Sequence, residues 1–343
     1  MRHVRAKCAA SSGKNNAMHH ACSLERAQFA TAVEPVGEYS SCCVIGLVRR
    51  ATVGQPPIYF SSSAAARHTR VKRVPHFAPV ATRDDPRFEP YRELRDRDVR
   101  GRDGVFIVEG EVLLRVLVAR DPDSIVSVLI LDKRREKLDD ALALLPSTTP
   151  VYLAPEPVMN DVVGFPIHRG ILALARRRAP RSASALLGAM EGPSLVVGIA
   201  GVTNHDNVGG IFRNAAAFGA KAVILDGATC DPLYRKALRV SVGAALAVPF
   251  ASVTDEDELI ACLESAGFVP YALTPRGEMD LHELRSSELP KRVALVLGAE
   301  GTGLSERTLK KTRGLRITMA PGWDSLNVSV ASGVALHALS PAR

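Results

Sequence analysis

The sequence has few aromatic residues and no long apolar run. Only 5% of its 343 residues are Phe, Trp or Tyr, and the single Trp is Trp323. The longest apolar runs, VVGIAGV and VALVLGA, have the length of buried strands, whereas a membrane-spanning helix needs roughly 18 apolar residues. We therefore expect no membrane association. The remaining composition, 46% hydrophobic and 23% charged, is typical of a globular protein that is long enough for two or three domains.

The sequence also lacks the cysteine spacing of a zinc site or a disulfide framework. Four of its six Cys lie in the first 78 residues, and Cys230 and Cys262 are far from each other. We therefore expect no metal site and a reducing compartment. The expected location is the cytoplasm, or an organelle if the N-terminal segment is a transit peptide.

Acidic residues are scarce in the first part of the chain. Residues 1–78 contain 11 Lys or Arg and 3 Asp or Glu, whereas residues 79–343 contain 33 of each kind, so the net charge of +8 belongs to the first part. That part is also rich in Ala and Ser, without a steady apolar period. This favours a disordered basic tail or an over-long translation start, although a targeting segment has the same composition.

Basic clusters in the rest of the chain remain candidates for phosphate contacts, although solvated surface explains each of them alone. They comprise Arg92, Arg95, Arg97, Arg100 and Arg102; Lys133, Arg134, Arg135 and Lys137; and Arg176, Arg177, Arg178 and Arg181.

The order of apolar patterns predicts two α/β domains. Residues 79–178 read as a short lead-in followed by a small domain in which strands alternate with helices. Residues 179–193 read as a polar linker. Residues 194–343 repeat the alternation on a larger scale, which indicates a mainly parallel sheet.

Three stretches of the second domain carry polar residues directly after predicted strands, where ligands of open α/β sheets gather. In NHDNVGGIFRNAAAFGA, residues 204–220, a predicted glycine turn leads to a helix with Arg213 in its first turn or two. In LVLGAEGTGLS, residues 295–305, Glu300 lies between glycines. In SLNVS, residues 325–329, Ser325 and Asn327 precede the final helix.

Each stretch alone also has a purely structural explanation. Arg213 could pair with the carboxyl terminus of a helix, Glu300 could cap the next helix, and Ser325 or Asn327 could cap the last one. A nucleotide-dependent dehydrogenase is disfavoured, because the first stretch does not contain G-x-G-x-x-G. It also has no P-loop lysine.

Taken together, the stretches resemble the three signature motifs of the SpoU/TrmH family of RNA ribose 2′-O-methyltransferases. N-x-G-x-x-x-R matches from Asn207 to Arg213, G-A-E-G from Gly298 to Gly301, and S-L-N-V-S from Ser325 to Ser329. The likeness extends over residues 194–339. The upstream sequence is similar to the family's small RNA-binding α/β domain, which looks like a ribosomal protein.

The resemblance implies a fold, a cofactor and a set of site residues. The fold would be an α/β sheet with a C-terminal trefoil knot, and the chain would form a homodimer with the active site at its interface. The methyl donor would be S-adenosylmethionine. The implied catalytic set is Arg213, Asn207, Glu300, Ser325 and Asn327, and the implied cofactor pocket is lined by Leu297, Gly298, Ile317, Met319, Leu326 and Val328.

The resemblance leaves the substrate and one catalytic role open. Ribosomal RNA is favoured over transfer RNA because the added domain looks like a ribosomal protein. A non-catalytic RNA-binding protein on the same fold is the alternative of another class, and the five intact motif residues count against it. Arg213 could draw the proton from the ribose 2′-hydroxyl, or it could orient that hydroxyl and stabilise negative charge. The second role suits an arginine, which normally stays protonated.

Overall fold

The computed structural model describes residues 75–92, 104–284 and 289–340, and they all fall within one compact unit of the chain. They form a five-stranded and a seven-stranded β-sheet, each covered by helices. No helix among these residues has the length and apolarity needed to cross a membrane. The same residues contain no cluster of three metal-binding side chains.

The first sheet is mixed. Its strand order is β1-β4-β3-β5-β2, in which β1, β4 and β3 are parallel and β5 is antiparallel to both β3 and β2. The strands are β1 (His76–Pro79), β2 (Val105–Glu109), β3 (Ile125–Leu131), β4 (Pro150–Ala154) and β5 (Ile171–Arg176). The helices are α1 (Glu111–Arg120), α2 (Arg135–Leu142) and α3 (Glu156–Val163). Of these three helices, the sequence analysis did not predict α3, a short helix of eight residues.

Two predicted boundaries need correction. The predicted tail, residues 1–78, lies outside the described residues up to position 74. Its last three residues, however, belong to β1 and pair in register with Pro150, Val151 and Tyr152 of β4. The predicted linker, residues 179–193, contains helix α4 (Ala183–Gly188), whose Leu186 and Leu187 are buried in the core of the second sheet. Both segments were misread because a single turn of helix or an edge strand has too few residues to show a period.

The second sheet is parallel throughout, in the order β10-β12-β9-β11-β6-β7-β8. Every residue of the interior strand β6 is buried, as expected for a parallel strand covered on both faces. The strands are β6 (Ser194–Ile199), β7 (Ala222–Leu225), β8 (Phe250–Ser252), β9 (Val269–Leu273), β10 (Met279–Asp280), β11 (Arg292–Leu297) and β12 (Arg313–Arg316).

The helices of the second sheet differ from the sequence prediction at the first motif and by two short helices that were not predicted. The helices are α5 (His205–Ala217), α6 (Arg235–Val240), α7 (Ala244–Ala247), α8 (Glu256–Ser265), α9 (Glu306–Lys311) and α10 (Val328–Leu339), and the two that were not predicted are α6 and α7. Helix α5 begins four residues before Gly209, so the predicted glycine turn is wrong: both glycines of the motif lie inside the helix and are buried. Arg213 consequently lies in the third turn of α5 and not in its first or second.

A buried ion pair connects the two sheets. Glu109, the last residue of β2, accepts a 2.8 Å hydrogen bond from the guanidinium of Arg235 at the start of α6. The side chains are 7% and 13% exposed, respectively, and Arg239 adds a second cation at 3.6 Å from the same carboxylate oxygen. Removing one partner would leave a buried charge unpaired, which is strongly destabilising, so this contact requires both residues.

The two cysteines within the described residues are free thiols, Cys230 and Cys262. Burial raises the pKa of each thiol to about 11. Both therefore stay protonated near neutral pH, where a thiol is a weak nucleophile.

Candidate active site

One side chain joins the three motifs. The amide nitrogen of Asn327 donates a 2.8 Å hydrogen bond to Oδ1 of Asn207 and a 3.2 Å hydrogen bond to Oε1 of Glu300. Asn207 follows β6 in the fold, Glu300 follows β11, and Asn327 precedes α10. Of the five predicted catalytic residues, the structure thus brings these three into direct contact.

Asn327 is also the N-cap of α10. Its Oδ1 accepts hydrogen bonds from the backbone N–H of Ser329 at 3.0 Å and of Val330 at 3.3 Å. The capping explanation offered by the sequence is therefore correct for Asn327, but it is incomplete. Because the oxygen is used for the cap, the nitrogen of the same amide must face Asn207 and Glu300.

This orientation leaves a buried donor unused. Asn207 is only 4% exposed, and its Oδ1 is already turned toward Asn327. Its Nδ2 has no hydrogen-bond partner among the described residues. An unpaired buried donor costs roughly 1–3 kcal/mol, so this amide is suited to a hydrogen-bond acceptor that a ligand brings.

The motif glycines on α5 permit close helix packing. A Cβ at Gly210 would lie 1.9 Å from Oγ and 2.8 Å from Cβ of Ser329 on α10, and a Cβ at Gly209 would lie 2.6 Å from the carbonyl oxygen of Ala237 on α6. Glycine is thus required by neighbouring helices and not by a phosphate or a turn. This packing holds the start of α5, with Asn207, against the start of α10.

Asn214 adds a polar contact between the same helices and was missed by the sequence analysis. Its Nδ2 donates to the carbonyl oxygen of Ser329 at 2.7 Å and to Oγ of Ser332 at 2.9 Å. Residues 207, 210 and 214 form a stripe along one side of α5. That spacing is the signal that could have identified Asn214 as a packing residue.

Arg213 lies on the flank of this stripe, three residues after Gly210. It is exposed, and no hydrogen bond or ion pair joins it to any of the described residues. The structural explanation, an ion pair with a helix terminus, therefore does not hold within the described part of the chain. The guanidinium is free to contact a substrate.

Gly298 is required by the loop that carries Glu300. A Cβ at Gly298 would lie 2.5 Å from the carbonyl carbon of Gly303 and 2.6 Å from the amide nitrogen of Leu304. The loop is closed by a 3.0 Å hydrogen bond from Gly303 N–H to the carbonyl oxygen of Ala299. Glu300 does not cap the following helix, because Ser305 is the N-cap of α9.

The residues predicted to line the cofactor pocket lie at or after the ends of β11 and β12 and around the start of α10. Leu297 is buried, Ile317, Met319 and Val328 are half-buried, and Leu326 is 45% exposed. Strand β12 ends at Arg316, so Ile317 and Met319 belong to an irregular segment and not to a strand. Ser325 is exposed in that segment and has no hydrogen bond to the other four predicted catalytic residues.

Asp280 holds the start of this irregular segment and is a second residue that the sequence analysis missed. Its carboxylate accepts a short hydrogen bond from the hydroxyl of Thr318 and lies 3.4 Å from the guanidinium of Arg316. The hydrogen bond from Thr318, followed by that from the backbone N–H of His282, lowers the pKa of Asp280. No sequence signal links Asp280 to Thr318, because they are far apart in the chain.

The basic clusters are partly neutralised. Lys133 pairs with Glu156, Arg177 with Asp231, and Arg178 with Asp121. Arg92 donates to the carbonyl oxygens of Arg83 and Asp85, and Arg135 lies 4.1 Å from the ring centroid of Phe77. Arg95, Arg97, Arg100 and Arg102 lie outside the described residues. Lys137, Arg176 and Arg181 are exposed and have no ion-pair partner among the described residues.

Comparison with known proteins agrees with the motifs. Residues 194–337 match the SpoU rRNA Methylase family. A Mycobacterium bovis protein named as a tRNA/rRNA methyltransferase is 37% identical over 75% of this chain and 90% of its own length. A Photorhabdus laumondii protein named 23S rRNA (guanosine-2′-O-)-methyltransferase RlmB is 33% identical over 67% of this chain and 95% of its own length.

Solved structures share the fold. The AdoMet-bound rRNA methyltransferase of Sinorhizobium meliloti superposes with a TM-score of 0.65 at 23% identity, over 77% of this chain and 97% of that one. The SpoU methyltransferase AviRb of Streptomyces viridochromogenes superposes with a TM-score of 0.60 at 22% identity, over 74% of this chain and 96% of that one. The predicted α/β class is confirmed, and by its sequence relatives and its matched domain this chain belongs to the SpoU rRNA methylase family.

Proposed function

We propose that the protein transfers a methyl group from S-adenosylmethionine to a ribose 2′-hydroxyl of ribosomal RNA. The observation that carries the proposal is the pair of hydrogen bonds from Asn327 to Asn207 and Glu300, which gathers the three motifs into one polar site at the start of α5, the helix that also carries exposed Arg213. Relatives named as 23S rRNA 2′-O-methyltransferases support ribosomal RNA as the substrate. The name of the Mycobacterium bovis relative keeps transfer RNA as the second candidate.

The residues of the proposed cofactor site suit an adenosine-containing donor. Half-buried apolar side chains, Ile317 and Val328, lie beside irregular backbone that follows β11 and β12, and small-molecule sites combine such apolar walls with a few backbone polar groups. Bound there, S-adenosylmethionine supplies a methyl group on a sulfonium. Leu297, Gly298, Met319 and Leu326 complete the proposed lining.

The protein's own part in the reaction is to orient the ribose and stabilise charge. The unused Nδ2 of Asn207 is a donor for a ribose or phosphate oxygen, and Glu300 and Asn327 hold that amide in place. Arg213 supplies a positive charge where the hydroxyl oxygen becomes negative, which is the role that suits a protonated guanidinium. Ser325 is proposed to contact the ribose from the segment before α10.

We also propose the trefoil knot of the family for the C-terminal part. The support is topological: β12 lies between β10 and β9, yet the segment 317–327 returns past β11 so that Asn327 contacts residues that follow β11 and β6. A chain that crosses the loops that it has already formed would follow such a path. Knots are rare in proteins, and an experimental structure traced from 273 to 340 tests the crossing.

Helix α10 is proposed to form a homodimer interface. Val330 is 55% exposed and Val334 is 44% exposed, and Leu326 continues the same four-residue spacing. An apolar stripe on the surface of a helix favours a protein contact. Arg213, on the flank of the α5–α10 contact, would then lie close to the second subunit.

Replacing Val334 by Arg is expected to produce a monomer, because a charge would have to be buried in the dimer. The measurement is the molar mass in solution by light scattering, with twice 36.7 kDa expected for the unchanged chain. Val112→Arg is the matched control, since Val112 is 53% exposed on α1. A dimer that survives Val334→Arg, or an active monomer of the unchanged chain, would contradict the proposed interface.

Replacing Asn327 by Ala is expected to lower the methylation rate by up to about 10²-fold, the effect of a misplaced reacting group. The lost cap should also lower the free energy of unfolding by about 1 kcal/mol. Ser182→Ala removes the N-cap of α4 and should have a comparable effect on stability without an effect on rate. The two effects are measured by thermal unfolding and by a single-turnover assay. Equal methylation rates for the Asn327→Ala and Ser182→Ala variants would show that Asn327 has no role in the active site.

The experiment that tests the function is methyl transfer to defined RNA. The protein is incubated with S-adenosylmethionine labelled in its methyl group and with either deproteinised ribosomal RNA or bulk transfer RNA, each from cells lacking the gene. A methylated 2′-oxygen protects the adjacent phosphodiester from alkali, so the label should be recovered in alkali-resistant dinucleotides of ribosomal RNA. Label in transfer RNA alone would favour the second candidate, and label in neither would refute the proposed function.

A further inference from the structure

Trp323 is the most exposed large apolar side chain among the described residues. It is 76% exposed, and neither its ring nor its Nε1 contacts an aromatic, cationic or hydrogen-bonding partner in the described part of the chain. A tryptophan usually buries most of its large surface. Its exposure therefore indicates a surface that another molecule covers.

The Trp323 turn is closed by a backbone hydrogen bond. The N–H of Trp323 donates to the carbonyl oxygen of Ala320 at 3.1 Å, and Gly322 takes a left-handed conformation with φ of +86°. The indole thus projects from a closed turn. Trp323 precedes Asn327 by four residues, so its Cα is within about 14 Å of that of Asn327, the reach of an extended chain of that length.

We propose that Trp323 stacks on a base of the RNA substrate next to the ribose that is methylated. The inference rests on the proposed function and names a substrate-binding residue for it. Single-stranded and unstacked bases are commonly bound on the faces of aromatic side chains, and a base has such a face whatever its sequence. Asp324, also exposed beside Trp323, would repel phosphates, so the contact is with a base and not with the RNA backbone.

The chain has a single Trp beside six Tyr, so fluorescence excited at a wavelength that only tryptophan absorbs reports on this side chain alone. Deproteinised ribosomal RNA from cells lacking the gene is expected to quench that fluorescence. S-adenosylhomocysteine alone and dilution through the range of dimer dissociation should leave it unchanged. Quenching by S-adenosylhomocysteine would place Trp323 in the cofactor site. A change in fluorescence on dilution would place it in the dimer interface. An unchanged fluorescence with RNA would exclude stacking on a base. Each of these results overturns the proposal.

Substitution provides an independent measurement. Trp323→Ala is expected to raise the KM for RNA by about 5-fold to 150-fold, the range for loss of one base–aromatic stack, with little change in kcat or in melting temperature. Trp323→Phe should restore most of the affinity because it keeps an aromatic face. An unchanged KM for the alanine variant, or no rescue by Phe, would overturn the proposal. If the unchanged chain methylates no RNA at all, the failure belongs to the proposed function and not to Trp323.

Discussion

Arg213→Ala is expected to lower the single-turnover rate of methyl transfer by about 10²-fold or more, the range for loss of a group that transfers a proton or stabilises charge. Arg213 is exposed and has no partner among the described residues, so the change should leave folding intact. The affinity for S-adenosylmethionine should also stay the same, because the proposed cofactor residues lie on other segments. Rate and affinity are measured separately, by labelled methyl transfer and by calorimetry.

Two further substitutions make this result specific. Arg307→Ala removes another exposed arginine, 70% exposed on α9, and should leave the rate unchanged. Arg213→Lys keeps the positive charge and tests whether that charge is sufficient without the shape of the guanidinium. Substantial activity with Lys would support charge stabilisation, whereas an inactive Lys variant would indicate that the shape of the guanidinium matters. Methylation by Arg213→Ala at the rate of the unchanged chain would show that the assignment of Arg213 is wrong.

Gly298→Ala is expected to abolish cofactor binding and to lower the free energy of unfolding by about 1–3 kcal/mol, the range for overpacking. The added Cβ would lie 2.5 Å from the backbone of Gly303, and backbone atoms cannot rotate away as a side chain can. The loop that carries Glu300 would therefore have to move. Cofactor binding is measured by calorimetry and stability by chemical denaturation.

Gly188→Ala is the matched control for this prediction. Gly188 ends α4, and a Cβ there would meet no heavy atom within 4 Å. The same substitution should therefore be tolerated, or should stabilise slightly, since glycine in a helix is about 0.5–1 kcal/mol less favourable than alanine. If Gly298→Ala is as stable and as well bound to cofactor as Gly188→Ala, the loop is more adaptable than its contacts indicate.

Regular elements of the second domain were predictable because their patterns are local. The buried run VVGIAGV contains the end of β6. The segment DEDELIACLESAG, with acidic residues at its start and a glycine at its end, corresponds to α8, which begins after Asp255 and ends before Gly267 with φ of +75°. The short helices α3, α4, α6 and α7 were missed, because none of them exceeds eight residues and so none displays a clear helical period. Strand β1 was missed since its pairing partner, β4, lies far along the chain.

The sequence by itself determined the family and the set of candidate residues, because both depend on the order of residue types within short segments. Asn207, Arg213, Glu300 and Asn327 could be named from three motifs without any distance. The sequence could not decide which of them touch, since Asn207 and Asn327 are brought together only by the packing of α10 against α5.

The tertiary structure alone decided what the glycines and amides do. Gly210 reads as a turn residue in the sequence, but it lies inside α5, and it must be glycine because Ser329 approaches too closely for any side chain. The orientation of Asn207 follows from Asn327, whose oxygen is committed to the cap of α10 and whose nitrogen is therefore left for Asn207. Close approach and the direction of a hydrogen bond are relations between distant segments, and only the folded chain brings those segments within contact distance.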